Sequence, residues 1–399
     1  MIYQNLLIIS FVILLYALFI KRIDKTIISG PLLAIIIGVI FGPLVLNTLH
    51  VNLDREGYQI IAELALALVL FADASKTNLS VLKQNSGIPI RLLLIGLPLC
   101  IVFGMIAGFM IFKGFSFLEV GILATMLAPT DAALGKAVVT NKAVPAKIRE
   151  ALNVESGLND GICVPVLFLF IAFFTASQAG EGLELFYGLR LFIEEIGIGL
   201  IAGLGITYIF VLIINNSKKH NWISESWNPV IIIALSFCCF TAAQLAGGSG
   251  FIASFAGGFL YGSLSQKYKL GEEIVESAEG AEDTLSMITW ILFGAFVIGK
   301  YLQELTWDAA VYAILSLTII RIIPVLLSLI NTGISIKEKL FIGWFGPRGL
   351  ATIVFAIIVL DVPLPHQKTI IVTTVCAILL SVVLHGITAN PFIKLLNKK

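Results

Sequence analysis

Charge is what this sequence has least of. Only 13% of its 399 residues are Asp, Glu, Lys or Arg, whereas soluble domains carry about a quarter. At this length a soluble chain would form roughly two or three domains, and 26 basic plus 25 acidic residues cannot clothe their surfaces. The deficit excludes a cytosolic enzyme and a disordered chain. Neither sign is in excess, the net charge being +1, so nothing points to a polyanionic partner such as nucleic acid. The five cysteines (Cys100, Cys163, Cys238, Cys239 and Cys376) lie in apolar stretches, with no CxxC pair and no histidine at ligand spacing. A zinc site and a disulfide framework are therefore not indicated, and these residues are read as small buried hydrophobes.

What is abundant is apolar surface: 58% of residues are hydrophobic and the mean hydropathy is +0.99. The composition is that of an all-α polytopic membrane protein. Nearly unbroken apolarity excludes a β-barrel, whose strands alternate between lipid and lumen faces. The first apolar run, 5–20, has no basic residue before it and no small-residue cleavage site, so it reads as a membrane span rather than a signal peptide.

A helix needs about 20 apolar residues to cross the hydrocarbon core. By that measure the chain divides into about thirteen segments: 5–20, 27–46, 58–74, 88–112, 117–140, 148–177, 186–214, 227–246, 250–264, 283–304, 307–330, 337–360 and 366–389. Alternate connections hold the basic residues: Lys21/Arg22/Lys25, Lys76/Lys83/Arg91, Lys142/Lys147/Arg149, Lys218/Lys219, Lys267/Lys269, Lys337/Lys339 and Lys394/Lys398/Lys399. The intervening ones hold only Arg55, Lys113, Arg190, Lys300 and Lys368. Basic loops stay cytoplasmic, which predicts an outside N-terminus and a cytoplasmic C-terminus.

Two segments carry proline at their middle: Leu127-Ala128-Pro129-Thr130-Asp131 in the fifth and Gly346-Pro347-Arg348-Gly349 in the twelfth. Proline there removes a backbone bond and breaks or kinks the helix. The two segments lie seven apart, an odd number, so they cross the membrane in opposite senses. That is the pattern of six-helix inverted repeats, with segment seven as linker, and paired broken helices point to a transporter's midplane site.

Charges inside spans are costly and need a reason. At about 1.5 Å per residue, Asp160 lies roughly 18 Å into segment six, near the midplane. Asp131, Arg321 and Arg348 fall at similar depth in their segments, and Glu155 lies toward the cytoplasm. Glu155 and Asn159 share one helix stripe, and Ser156 and Asp160 the next. Oxygen donors of this kind suit a hard cation, and unwound backbone near Pro129 and Thr130 adds carbonyls. Three acids (Asp131, Glu155, Asp160) against two arginines (Arg321, Arg348) leave one negative charge. Desolvation favours the neutral form of an excess acid, so proton and monovalent cation compete for it, which is antiport in outline. Asp131 has a second reading, as a cap on the resumed helix of segment five. Glu155 with Arg321 reads as a structural ion pair, Arg348 as neutralising broken-helix ends, and Asn159 as orienting Glu155.

Taken in order, Ala128-Pro129-Thr130-Asp131, Glu155-Ser156-Gly157-Leu158-Asn159-Asp160-Gly161, Arg321 and Gly346-Pro347-Arg348-Gly349 resemble the cation:proton antiporter-1 family, in particular its prokaryotic NhaP-type Na⁺/H⁺ antiporters. The resemblance spans the whole helical region. It implies crossed unwound helices at the site, segments five and twelve. It also implies a homodimer with a scaffold domain (1–80 and 220–305), an ion-transporting core domain (88–178 and 306–391) and a linker helix (185–218). Asp160 would bind proton or cation, with Asp131, the Thr130 carbonyl and the Ser156 hydroxyl completing the Na⁺ shell. Glu155 would pair with Arg321 and be held by Asn159. The Asn159-Asp160 pair matches the electroneutral branch, implying one cation per proton. No resident cofactor is expected: Na⁺, Li⁺ and H⁺ are cargo. The implied setting is the cytoplasmic (inner) membrane, with lipids, cation and proton as partners.

Three rivals are weaker. Gly247-Gly248-Ser249-Gly250 with His385 evokes an intramembrane serine protease, yet it reads as a turn and leaves Asp160 without a role. A cation channel does not need two opposed broken helices, and a Na⁺-coupled solute symporter would need a further polar pocket. The acidic run Glu272, Glu273, Glu276, Glu279, Glu282 and Asp283 reads as a solvated helix end, or as a device that gathers cations. Glu194 and Glu195 have no assigned role.

Overall fold

The computed structural model describes residues 2–23, 29–49, 55–76, 87–131, 134–178, 184–268, 270 and 273–396, and among these the regular structure is helical, with no strand. Lys25, Lys83, Lys269, Glu272, Lys398 and Lys399 lie outside the described residues. The helices are α1 (Ile2–Ile23), α2 (Gly30–Phe41), α3 (Arg55–Lys76), α4 (Gly87–Ile111), α5 (Phe117–Met126), α6 (Ala146–Gln178) and α7 (Glu184–Lys219). They continue as α8 (Asn228–Leu245), α9 (Gly250–Tyr268), α10 (Glu279–Glu304), α11 (Trp307–Ser328), α12 (Ile336–Trp344), α13 (Leu350–Val359) and α14 (Gln367–Leu396). Among the described residues nine of these are long and apolar enough to cross a membrane, and α2, α5 and α13 are shorter apolar helices. The protein is a multi-pass membrane protein.

The chain forms two compact units. One comprises Met1–Ala62, Gly87–Asn159 and Ser286–Lys399; the other comprises Glu63–Ser86 and Asp160–Leu285. In the second unit α7, α8 and α9 pack on one another around Phe71, Val211, Ile232, Cys239, Ala253 and Tyr261. Backbones approach closely here because glycines line the seams. A β-carbon on Gly258 would lie 2.2 Å from the Phe71 carbonyl oxygen, and one on Gly203 would lie 2.2 Å from that of Ala253. Small residues of this kind are how membrane helices gain packing without a hydrophobic drive. Cys238, expected to be buried, is exposed instead. It lies on the exposed side of α8.

The first unit holds both proline-interrupted segments. α5 and α12 begin alike, each on a serine capping box. Ser116 Oγ accepts from Glu119 N (3.2 Å) while Glu119 Oε2 accepts from Ser116 N (3.0 Å); Ser335 and Glu338 repeat this at 3.3 and 2.7 Å. Such boxes satisfy two of the amide hydrogens a helix start leaves over. Both helices then stop early, α5 after ten residues and α12 after nine. Proline supplies no amide and disfavours helical geometry in the residue before it. α12, α11 and α14 close a core that includes Val325, Phe341, Ile342, Phe345 and Ala389.

Gly258→Ala should therefore lower the unfolding free energy by about 2 kcal/mol through overpacking. Gly197→Ala, with nothing within 4 Å of its β-carbon, should be neutral or slightly stabilising. Thermal melting of the purified protein in detergent distinguishes the two, and equal melting temperatures would contradict the seam.

Candidate functional site

The two interruptions in the first unit meet. Asp131, half-buried just past the break after α5, gives its backbone N–H to Pro347 O at 2.8 Å. Its carboxylate accepts from Leu350 N, the first residue of α13, through Oδ2 (2.9 Å), and from Leu134 N through Oδ1 (3.1 Å). An acid is favoured at a helix N-terminus by the unpaired amides and the helix dipole. Of the two roles considered from the sequence, the cap is thus present, and it extends to a second helix start, that of α13.

Glycine is required where the breaks touch. A β-carbon on Gly349 would lie 1.7 Å from Asp131 Oδ2, and one on Gly346 would lie 2.7 Å from Arg321 Nε and 3.0 Å from Thr130 Cγ2. The Gly-Pro-Arg-Gly stretch is readable as a broken helix, but these two glycine roles are visible only in three dimensions.

Arg348 is fully buried and reaches back across the junction. Nη1 donates to Ala128 O (2.9 Å) and Pro129 O (3.0 Å), two carbonyls at the break. Nη2 donates to Ser316 O (2.9 Å), just ahead of the point where α11 is distorted at Thr318 (φ −117°, ψ −95°). Its own amide donates to Ser381 Oγ on α14 at 2.7 Å. A guanidinium fork can serve several oxygens at once, and a cation offsets the negative end of an interrupted helix.

Glu155 on α6 and Arg321 on α11 form a two-pronged ion pair, Nη1–Oε1 at 2.6 Å and Nη2–Oε2 at 2.7 Å, with both side chains 1% exposed. Asn159, one turn on, was expected to hold Glu155. Its amide instead donates to Thr130 Oγ1 at 2.6 Å, and Thr130 Oγ1 lies 3.0 Å from Ser156 Oγ. The shared stripe puts Asn159 near Glu155, but the uncoiled backbone at Thr130 offers a nearer acceptor than a carboxylate already engaged by arginine. Thr130, Ser156 and Asn159 are all buried. Asp160, the next residue of α6 and one turn beyond Ser156, is also buried, 8% exposed. Within the first unit, then, Thr130, Asp131, Glu155, Ser156, Asn159, Arg321 and Arg348 are joined by direct contacts or through one shared break, and α6 carries Asp160 on from them.

Residues the sequence had not singled out complete the setting. Glu119, 1% exposed, holds the start of α14 as well as that of α5: Oε1 accepts from His366 N (2.9 Å) and lies 3.0 Å from His366 Nδ1. His385 directs its ring nitrogens at Ser381 and Trp344, and Ser249 accepts from Ile252 N as a helix cap, so neither stands as half of a protease dyad. Glu194 pairs with Arg190 at 2.9 Å on an exposed face, and Glu279 with Lys76 at 2.9 Å.

Residues 7–395 match the family model described as sodium/hydrogen exchanger, transmembrane. The chain is 24% identical over 389 residues to the K(+)/H(+) antiporter NhaP of Alkalimonas amylolytica, covering 95% of this chain and 66% of that one. It is 26% identical to the Na(+)/H(+) antiporter NhaH of Halobacillus dabanensis, covering 68% and 67%. Against NhaP2 of Shewanella sp. (strain ANA-3) it spans 57% of the relative's length. Its fold is that of the sodium proton antiporter MjNhaP1 from Methanocaldococcus jannaschii at pH 8, with a TM-score of 0.77, 20% identity, and coverage of 96% of this chain and 99% of that one.

Removing one partner of a buried ion pair leaves the other charge stranded, at a cost of about 3–5 kcal/mol. Glu155→Ala should lose that much stability, whereas the apolar double substitution Glu155→Leu with Arg321→Met should recover most of it. Chemical unfolding in detergent reports both; an unchanged midpoint for Glu155→Ala would refute the pairing.

Proposed function

The chain belongs to the sodium/hydrogen exchanger transmembrane family, and on that premise we propose that it is a secondary transporter exchanging a monovalent cation for a proton across the cytoplasmic membrane. The observation that carries this reading is the junction of two interrupted helices in one unit, through Asp131 N to Pro347 O and Asp131 Oδ2 to Leu350 N. A soluble fold has no use for paired breaks of this kind, whereas transporters build midplane sites from them.

Asp160 is the exchanging carboxylate. It binds either a proton or the cation, never both, and the loaded site permits passage to the other side. Asp131, Ser156 and the Thr130 carbonyl complete the oxygen shell, which suits Na⁺ and Li⁺. Glu155 with Arg321 braces α6 against α11, and Arg348 neutralises the end of α5. These assignments are supported by the chemistry of the donors, and by the formal sum of minus one over Asp131, Glu155, Asp160, Arg321 and Arg348. One charge exchanged for one charge makes the cycle electroneutral.

The same reading covers the architecture: thirteen spans, an outside N-terminus and a cytoplasmic C-terminus, as the distribution of basic loops favours. The matching capping boxes of α5 and α12 support six-helix inverted repeats with crossed interruptions. A homodimer has 1–80 and 220–305 as scaffold, 88–178 and 306–391 as moving core, and 185–218 between them.

The test is exchange in proteoliposomes, with an internal pH dye and pulses of Na⁺, Li⁺ or K⁺, with and without an imposed membrane potential. The relatives are named for K⁺ and for Na⁺, so all three ions are compared. The wild type should respond to Na⁺ and Li⁺, and the rate should ignore the potential. Asp160→Asn should fall to the level of empty liposomes while retaining wild-type melting. Normal exchange by that variant would overturn the assigned carboxylate, and a rate that follows the potential would overturn electroneutrality.

A further inference from the structure

His385 sits in the middle of α14, 3% exposed, and no step proposed above uses it. Its ring nitrogens are both engaged. Nε2 lies 2.8 Å from Trp344 O, the carbonyl of the last residue of α12. Nδ1 lies 2.8 Å from Ser381 O and 3.2 Å from Ser381 Oγ, one turn back on α14. Ser381 Oγ in turn accepts the amide hydrogen of Arg348 at 2.7 Å. Trp344 ends α12 at the near edge of the interruption of segment twelve, and Arg348 lies within it, two residues before α13. The His385–Ser381 pair therefore grips the near edge and the interior of the break and fastens them to one helix.

Both ring nitrogens face carbonyl oxygens, which only accept, so a neutral ring serves one of them at a time, Trp344 O through Nε2–H or Ser381 O through Nδ1–H. With the proton on Nε2 the Ser381 hydroxyl donates to Nδ1, and in either state the Arg348 amide donates to Ser381 Oγ. Packing holds the ring in this pose, with the Trp344 ring centroid 5.5 Å away and that of Phe345 6.2 Å away. Trp344 is fixed again by Nε1–H donating to Thr388 Oγ1 at 2.9 Å. Substituting alanine would remove the ring that Trp344 O and Ser381 share, at a buried position.

We propose that His385, acting with Ser381, is a positioning residue that sets the geometry of the segment-twelve break and thereby the affinity of the transport site. The logic runs through Arg348 and Pro347. The relay fixes where the Arg348 backbone sits, hence where its guanidinium meets Ala128 O and Pro129 O. It also fixes Pro347 O, which receives the Asp131 amide. A displacement at the break is thus delivered to both sides of the cation's surroundings. This rests on the exchange activity proposed above, so one of its tests reads the break without transport.

The variants are His385→Ala, His385→Gln, His385→Asn, Ser381→Ala and the double alanine substitution, each reconstituted and assayed for Na⁺-driven exchange. His385→Ala should raise the KM for Na⁺ about tenfold, as misplacement of a site does, with kcat per folded protein nearly unchanged. A role confined to stability would lower the amount of active protein and leave KM alone. His385→Gln can place an amide donor against Trp344 O and should restore KM in large part, whereas the shorter asparagine should not. Ser381→Ala should shift KM in the same direction, and the double variant should shift it no further than His385→Ala. In parallel, hydrogen–deuterium exchange of the peptide covering 344–350 should quicken in His385→Ala and recover in His385→Gln. An unchanged KM with unchanged amide exchange in His385→Ala overturns the proposal. Wild-type protein that shows no exchange activity overturns the functional reading instead, and the amide-exchange arm still decides whether His385 holds the break.

Discussion

A backbone group stranded in hydrocarbon costs several kcal/mol, and everything around the candidate site follows from that constraint. Two helices are broken within one unit, which leaves carbonyls at the end of one half-helix and amides at the start of another. The residues around them are buried, so the protein supplies partners. Asp131 serves the amide of Leu350, Pro347 O takes the amide of Asp131, Arg348 covers Ala128 O and Pro129 O, and Ser381 takes the amide of Arg348. Each interruption thus completes the other. Neither would be tolerable alone, which is why both prolines and both flanking glycines belong to one device.

The same constraint governs the buried charges. Arg321 and Glu155 neutralise each other with two contacts and leave the region with a rigid, neutral brace. Arg348 is spent on carbonyls and the carboxylate oxygens of Asp131 on amides, so neither is idle charge. Asp160 follows Asn159 on α6, whose amide donates to Thr130 at the break.

Much of this was legible in the sequence. Composition required membrane helices, the prolines at 129 and 347 located the interruptions, and the arginines and acids inside apolar runs located the charged layer. These are local signals, because a proline or a charge is costly wherever it sits. Partnerships were less legible. Helical spacing puts Asn159 on the stripe of Glu155, yet its amide goes to Thr130, whose position depends on how far the broken backbone unwinds. Glu119 looks like an ordinary capping acid, and only the fold brings His366 to its second face. His385 drew notice for a chemistry it is not arranged to perform. In each instance the missing information is a long-range approach between helices, which periodicity does not encode.

The matching starts of α5 and α12 give the junction a further meaning. Ser116 with Glu119 and Ser335 with Glu338 fix each helix firmly at one end, while the other end stops at the break and is held by a few side-chain bonds. A helix anchored at its start and loosely held at its tip concentrates bending at the tip. Where the two tips meet, they are joined by Asp131 N to Pro347 O and by Leu350 N to Asp131 Oδ2. Two capping boxes, two prolines and a handful of hydrogen bonds thus make one junction.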